Sequence, residues 1–110
     1  MSRVFIAYDD GHFNLKSANE FGKIITVFKD EPFTDEMDDL LPQVHRRARK
    51  VLEDFDPDTD YLCPIGPTLS ASICIFILSR KFPRFKTLRW DRFDRAYYVV
   101  EMSEDLLEVA

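Results

Sequence analysis

The first candidates for chemistry are two aspartates and a histidine that follow a β-type segment near the amino terminus. Asp9, Asp10 and His12 come directly after the run Arg3 to Tyr8, with one glycine among them. Carboxylate oxygens and an imidazole are groups that hold a divalent cation or transfer protons. Asp-Asp-Gly is equally typical of an ordinary turn, and no second cluster completes a site. We therefore predict neither a metal site nor a catalytic centre here.

A second candidate is the turn at Gly66, where a β-type segment passes into an apolar helix. Backbone N–H groups at the start of a helix attract anions, and the hydroxyls of Thr68 and Ser70 follow closely. With Asp9 or Asp10 at a neighbouring strand end, these residues would compose the anion site of a minimal nucleotide- or phosphate-binding domain. The turn has neither a G-x-G-x-x-G fingerprint nor a P-loop, and the residue after Gly66 is a proline, which lacks an N–H. We expect Gly66 to be structural before it is functional.

The third candidate is the stretch of residues 80–95, which mixes basic and aromatic side chains. Such a mixture can contact phosphates and stack bases, which makes single-stranded nucleic-acid binding a third hypothesis. Alternate residues of a strand point to opposite faces, however, so these side chains do not form one platform. Trp and Arg are also favoured anchors of protein interfaces. The candidate partner-binding residues are Trp90, Arg89, Arg92, Phe93 and Arg95.

Two helical stretches separate the β-type runs that would position these candidates. Apolar residues recur at helical spacings from Met37 to Phe55, which predicts a helix capped by Asp39 and ending near Phe55. A second helix follows Gly66, with Pro67 in its first position. The β-type runs cover residues 3–8, 23–28, 61–65, 85–90 and 96–102, and the last two are joined by a short turn.

This alternation predicts an α/β fold in a single domain over residues 1–110. We expect a small Rossmann-like sandwich with a mostly parallel sheet of four to five strands, two main helices and a C-terminal antiparallel hairpin. The position of the first strand stays open. A hydrophobic fraction of 45% is that of an ordinary globular chain.

The longest apolar run, Ile73 to Leu78, is far shorter than the ~18 residues of a membrane-spanning helix, and the polar start lacks a signal-peptide pattern. We therefore expect a cytoplasmic protein without a membrane partner. Cys63 and Cys74 show no metal-ligand or redox spacing, and we expect both in the core of a protein without a cofactor.

Charge is segregated along the chain. The overall net charge is −5, but residues 30–60 carry −7 and residues 80–95 carry +5. This layout suits a partner of complementary charge or a second copy, whereas a dedicated nucleic-acid binder normally has a net basic domain. We expect a homodimer and a protein partner that meets either an acidic helix or the Trp90 hairpin, and we do not expect nucleic acid.

Several segments resemble a family of small proteins encoded by tailed bacteriophages. They are Asp56-Pro57, Asp60-Tyr-Leu, Gly66, Leu88-Arg-Trp-Asp-Arg92 and Tyr98-x-Val-Val-Glu101. The resemblance covers most of residues 23–102 and implies one α/β domain with a strand-glycine-helix unit and an L-[RK]-W-D-R hairpin. It implies no activity or cofactor, and its setting is the infected bacterial cytoplasm. We predict a non-enzymatic phage accessory protein that binds an unidentified host or phage protein.

Overall fold

The computed structural model describes residues 2–9, 11, 15–29 and 41–103. Within them the chain forms five strands, two α-helices and one short 3-10 helix. In chain order these are β1 (Arg3–Asp9), the 3-10 helix (Ala18–Phe21), β2 (Lys23–Lys29), α1 (Leu41–Val51), β3 (Tyr61–Cys63), α2 (Thr68–Lys81), β4 (Arg84–Asp91) and β5 (Ala96–Ser103).

The five strands form one mixed sheet in the order β2-β1-β3-β4-β5. The pairs β1 with β2, β1 with β3 and β3 with β4 are parallel, whereas β4 and β5 pair as an antiparallel hairpin. The α/β class, the two helices and the C-terminal hairpin are therefore confirmed. The first strand, whose place the sequence leaves open, lies between β2 and β3.

Both described α-helices pack on the same face of the sheet. One core cluster joins Val44 and Ala48 of α1 and Leu78 of α2 to the strand residues Phe5 and Leu62. The opposite face has its own cluster, covered in part by Ala18 of the 3-10 helix. A Rossmann-like sandwich would carry helices on both faces, so the match to that architecture is only partial.

The first helix differs from the expected one in extent and in charge. It ends at Val51 rather than near Phe55, and the predicted cap Asp39 lies outside the described residues. Its sequence, LPQVHRRARKV, contains four cationic residues and no acid. The acids of residues 30–60 flank this helix in sequence instead, so the expectation of an acidic helix is wrong.

The second helix begins one residue later than predicted. Pro67 occupies the N-cap position, and the first intrahelical bond runs from the N–H of Ala71 to the carbonyl of Pro67 at 3.2 Å. The helix ends at Lys81, two residues before Pro83, because proline cannot continue it.

A buried carboxylate ties the starts of β1 and β3 together. Asp60 has no exposed surface, and its Oδ1 accepts a hydrogen bond from the backbone N–H of Arg3 at 2.9 Å. Its Oδ2 accepts from Nη2 of Arg3 and from the N–H of Asp56, both at 2.8 Å. Arg3 also pairs with Asp54 at 2.8 Å, which lowers the pKa of that exposed carboxyl. The predicted motif residues Asp56 and Asp60 therefore act within the fold.

Candidate functional site

The carboxyl ends of β1, β3 and β4 lie at one edge of the sheet, because these strands run parallel. The turn after β3 brings Gly66 against β1. Gly66 has φ of +103°, and a Cβ at this position would lie 2.5 Å from Cβ of Tyr8. Only glycine fits this approach without strain, so the geometry supports a structural role for Gly66.

The predicted anion-site residues are not brought together as one cluster. Ser70 is buried and donates its hydroxyl hydrogen to the carbonyl of Pro67 at 2.8 Å, so its side chain serves the start of α2. Asp9 accepts from the N–H of Gly11 at 2.9 Å within its own turn. Asp10 and His12 lie outside the described residues. Of the predicted set, Gly66 and Thr68 line one surface depression, and Asp9 does not line it.

That depression is a groove of about 510 Å³ between α2 and the β4–β5 hairpin. Because α2 covers β3 and β4 only in part, one face of the hairpin stays open beside the helix. The groove is lined mainly by small and apolar side chains, among them Ala71, Ile75, Val100 and Met102, and Arg89 is its one charged residue among those described. The hydroxyl of Thr87 is already used, because it donates to the carbonyl of Val100 at 2.8 Å.

The hairpin turn beyond this groove has a well-defined backbone. Oδ1 of Asp91 accepts hydrogen bonds from the N–H groups of Phe93 at 2.8 Å and Asp94 at 3.3 Å, which is an Asx turn. Arg95 takes φ of +51°, a left-handed conformation that glycine usually supplies. The hairpin therefore forms without the glycine or asparagine that the sequence lacks.

Aromatic side chains are displayed around this turn. Phe93 is 94% exposed, and Tyr98 and Trp90 are 46% and 37% exposed. The indole of Trp90 packs edge-on against the ring of Tyr97, with 5.0 Å between centroids. A second hollow, of about 360 Å³, lies among Trp90, Asp91, Arg92, Phe93 and Tyr98.

Four of the five predicted partner-binding residues thus line one or both of two hollows that meet at Trp90. Trp90 borders both hollows, Arg89 lies in the groove, and Arg92 and Phe93 lie at the turn. Arg95 is exposed next to them but lines neither hollow. We call the surface formed by the groove and the turn the hairpin surface.

Sequence reasoning missed the groove wall that α2 and β5 contribute. Ile75, Val100 and Met102 meet there although they belong to elements separated along the chain. The signal available in the sequence was the nearly all-round apolar character of the second helix, which indicates a need for cover on more than one side.

Both cysteines are buried in the core, as predicted. Burial raises the pKa of Cys63 and of Cys74 to about 12, so neither thiol supplies a thiolate at neutral pH. Burial likewise raises the pKa of Tyr97, which hydrogen-bonds Cys63, to about 12. These groups are packing residues.

No helix in the described part of the chain is both long and apolar enough to cross a membrane. Residues 3–104 match the family model described as phage Pam3 gp32-like protein. Searches of curated proteins and of solved structures give no match. The family match covers nearly the whole chain and supports the phage protein family that the sequence resembles.

Proposed function

Because the chain belongs to the phage Pam3 gp32-like protein family, we propose that it is a phage accessory protein that acts by binding a protein partner. The partner is a host or phage protein in the infected bacterial cytoplasm, and it meets the hairpin surface. The observation that carries this proposal is Phe93, which is 94% exposed on a turn whose backbone is fixed by Asp91.

The energetics of the hairpin surface favour a protein over a small ligand. Burying a phenylalanine side chain contributes about 1.5–3 kcal/mol, and aromatic residues beside arginine are the usual hot spots of protein interfaces. Phe93, Trp90 and Tyr98 supply the apolar area, and the rigid turn lowers the entropy lost on binding.

Charge indicates which partner surface fits. In residues 89–95 three arginines outnumber the two aspartates, and Arg89 is the one charged residue that lines the adjoining groove among the described residues. The partner is therefore expected to present apolar side chains within an acidic rim, because opposite charges steer association and fix its register.

A second candidate function is nucleotide or phosphate binding by a Rossmann-like domain. One observation favours it: because Pro67 is the N-cap, the N–H groups of Thr68, Leu69 and Ser70 precede the first intrahelical bond. Arg89 lies in the same groove as Thr68. Against it, the hydroxyl of Ser70 is engaged, so fewer polar side chains converge than a nucleotide requires.

Affinity capture from nuclease-treated lysate of infected bacteria tests the proposal. Wild-type protein and the variant Phe76→Ala, which removes an exposed phenylalanine at another site, should capture the same protein. Phe93→Ala should reduce its binding about 30-fold or more, and the purified pair should reproduce that loss. Phe93 is the cleaner choice than Trp90, because Trp90 also packs against Tyr97.

Native mass spectrometry of the purified chain decides between the two candidates. A retained nucleotide, together with capture that is equal for wild type and Phe93→Ala, would contradict protein binding at the hairpin and favour the phosphate site.

We also propose that the chain is a homodimer that pairs through β5. Among the described strands β5 lies at an edge of the sheet, and Tyr98 and Val99 on it are nearly half exposed. Unpaired edge strands bind further strands readily. Light scattering should give twice the monomer mass, and Val99→Lys should return the monomer mass. A wild-type monomer at tens of micromolar would refute the dimer.

A further inference from the structure

A cationic surface forms where the last turns of α1 and α2 lie side by side. Its members are Arg46, Arg49, Lys50, Arg80 and Lys81, all exposed, together with His45 and Phe76. Two adjoining hollows, of about 410 and 440 Å³, share Arg49 and Lys81 as lining residues. We call this the helical basic surface.

Helical spacing on both elements builds this surface. His45 and Arg49 are four residues apart on α1, as are Arg46 and Lys50, so each pair projects from one side of the helix. On α2, Phe76 and Arg80 are related in the same way. Packing of the two helices against one face of the sheet then places the two rows side by side.

Within the part of the chain that the structure describes, the cations of this surface outnumber the acids that line it. Glu53 is the one carboxylate that lines either hollow among the described residues. The nearby carboxylate of Asp54 is already paired with Arg3 at 2.8 Å. Like charges four residues apart destabilise a helix by a few tenths of a kcal/mol, so the arrangement opposes folding slightly.

The helix dipole explains only part of the charge pattern of the helical basic surface. Arg49 and Lys50 lie in the last turn of α1, and Arg80 and Lys81 lie in the last turn of α2, where positive charge stabilises the helix dipole. That effect does not account for Arg46, which lies farther from the end. It also does not account for the apolar ring of Phe76 on a solvent-facing side of α2.

Phe76 provides an aromatic platform within the cationic surface. The ring is 52% exposed, and the guanidinium of Arg80 lies 5.6 Å from its centroid. His45 approaches the ring edge-on, with 6.3 Å between centroids. Nucleic-acid bases stack on aromatic rings and on arginine planes, while lysines and arginines around them contact the phosphates.

We propose that the helical basic surface binds single-stranded nucleic acid, with phosphates along the cationic residues and a base stacked at Phe76 and Arg80. A single strand fits better than a duplex because its bases are free to leave their own stack. This site is independent of the hairpin surface. The eight residues of β4, a length of about 26 Å, separate Arg80 and Lys81 from the turn at Arg92.

Fluorescence anisotropy with a labelled oligothymidine of about 16 nucleotides tests the proposal. Binding should be in the micromolar range at low salt and should weaken steeply as salt is added. Each phosphate contact contributes about −0.7 to the slope of log affinity against log salt. The double variant Arg46→Ala/Arg49→Ala should therefore make the slope shallower by about 1.4.

Two further variants separate stacking from charge. Phe76→Leu should weaken binding about tenfold with little change in the salt slope, because it removes a stacking platform but no charge. The control Lys23→Ala/Lys29→Ala removes the same charge from β2 and should leave affinity within about twofold of wild type. Thermal unfolding must show that each variant is folded, and any variant that is not folded is replaced by Arg46→Gln/Arg49→Gln or Phe76→Met.

Three results would overturn the proposal. The first is no binding of the oligonucleotide at 100 μM protein, roughly the weak limit of non-specific binding. The second is an equal loss in the β2 control, which would indicate general charge attraction. The third is a pair of observations: polyglutamate at equal charge displaces the oligonucleotide completely, and Phe76→Leu does not change the affinity for the oligonucleotide. That pair would indicate that the surface binds an acidic protein.

Discussion

Two short segments of this chain use the same residue types in opposite ways. Residues 54–60, DFDPDTD, and residues 91–95, DRFDR, each combine aspartates with one phenylalanine. In the first, Phe55 is 3% exposed and Asp60 is fully buried against Arg3. In the second, Phe93 is 94% exposed and Asp91 accepts hydrogen bonds from its own turn.

The difference lies in what surrounds each segment. Residues 54–60 connect α1 to β3, so the core lies on one side of them and Arg3 of β1 on the other. Residues 91–95 connect two strands beyond the sheet, where neither described helix reaches them. A side chain with a partner inside the fold contributes to stability, whereas one left outside is available to another molecule.

The phenylalanines give the largest expected contrast. Phe55 packs against Phe5 and Phe82, with centroids 5.3 and 6.1 Å away, so Phe55→Ala should lower the free energy of unfolding by about 4 kcal/mol. Phe93→Ala should change it by less than about 0.5 kcal/mol. Urea unfolding measures both, and similar losses would break the comparison.

The next largest effect separates two aspartates of the first segment, Asp60 and Asp54. In Asp60→Asn the side-chain NH₂ group, which is itself a donor, would replace an oxygen that accepts from the backbone N–H of Arg3 or of Asp56. The guanidinium of Arg3 would also lose its buried carboxylate partner. We expect a loss of about 3 kcal/mol in the free energy of unfolding. Asp54→Asn, at an exposed site, should leave the urea midpoint close to that of wild type. Equal midpoints for the two variants would show that Asp60 does not clamp the strands.

Two glycines provide a similar contrast between a residue packed against the fold and an exposed one: Gly66 in the turn after β3, and Gly11 in the turn after β1. Both Gly66 and Gly11 have positive φ, but an added Cβ would meet Tyr8 only at Gly66 and open space at Gly11. Gly66→Ala should therefore be roughly 2 kcal/mol more destabilising than Gly11→Ala. Thermal unfolding checks this. An unchanged melting temperature together with lost phosphate affinity would instead favour the nucleotide-binding candidate.

The smallest effect concerns the hairpin turn itself. Arg95 holds φ of +51°, which costs a residue with a side chain about 1 kcal/mol, so Arg95→Gly should stabilise the protein by about 0.5 kcal/mol. Arg92→Gly is the control, because Arg92 has no positive φ and should lose stability slightly. A destabilised Arg95→Gly would show that the arginine side chain has an internal role.

Local patterns in the sequence determined the class of fold and most of its elements. Alternating β-type runs, the spacing of apolar residues and the turn residues predicted five strands, two helices and the final hairpin, and all of them are present. These features depend on neighbours within a few residues. The need for glycine at position 66 and the burial of both cysteines were accessible for the same reason.

Only the tertiary structure decided which side chains meet. Arg3 and Asp60 are 57 residues apart in sequence, so nothing local indicates that they bond. The groove needs α2 and β5 beside each other, and the helical basic surface needs the last turns of α1 and α2 to converge. The charge of residues 30–60 predicted an acidic helix, but the helix as described, Leu41–Val51, carries the bases of that segment and none of its acids. Composition is summed along the chain, whereas binding depends on the few groups that long-range packing leaves exposed together.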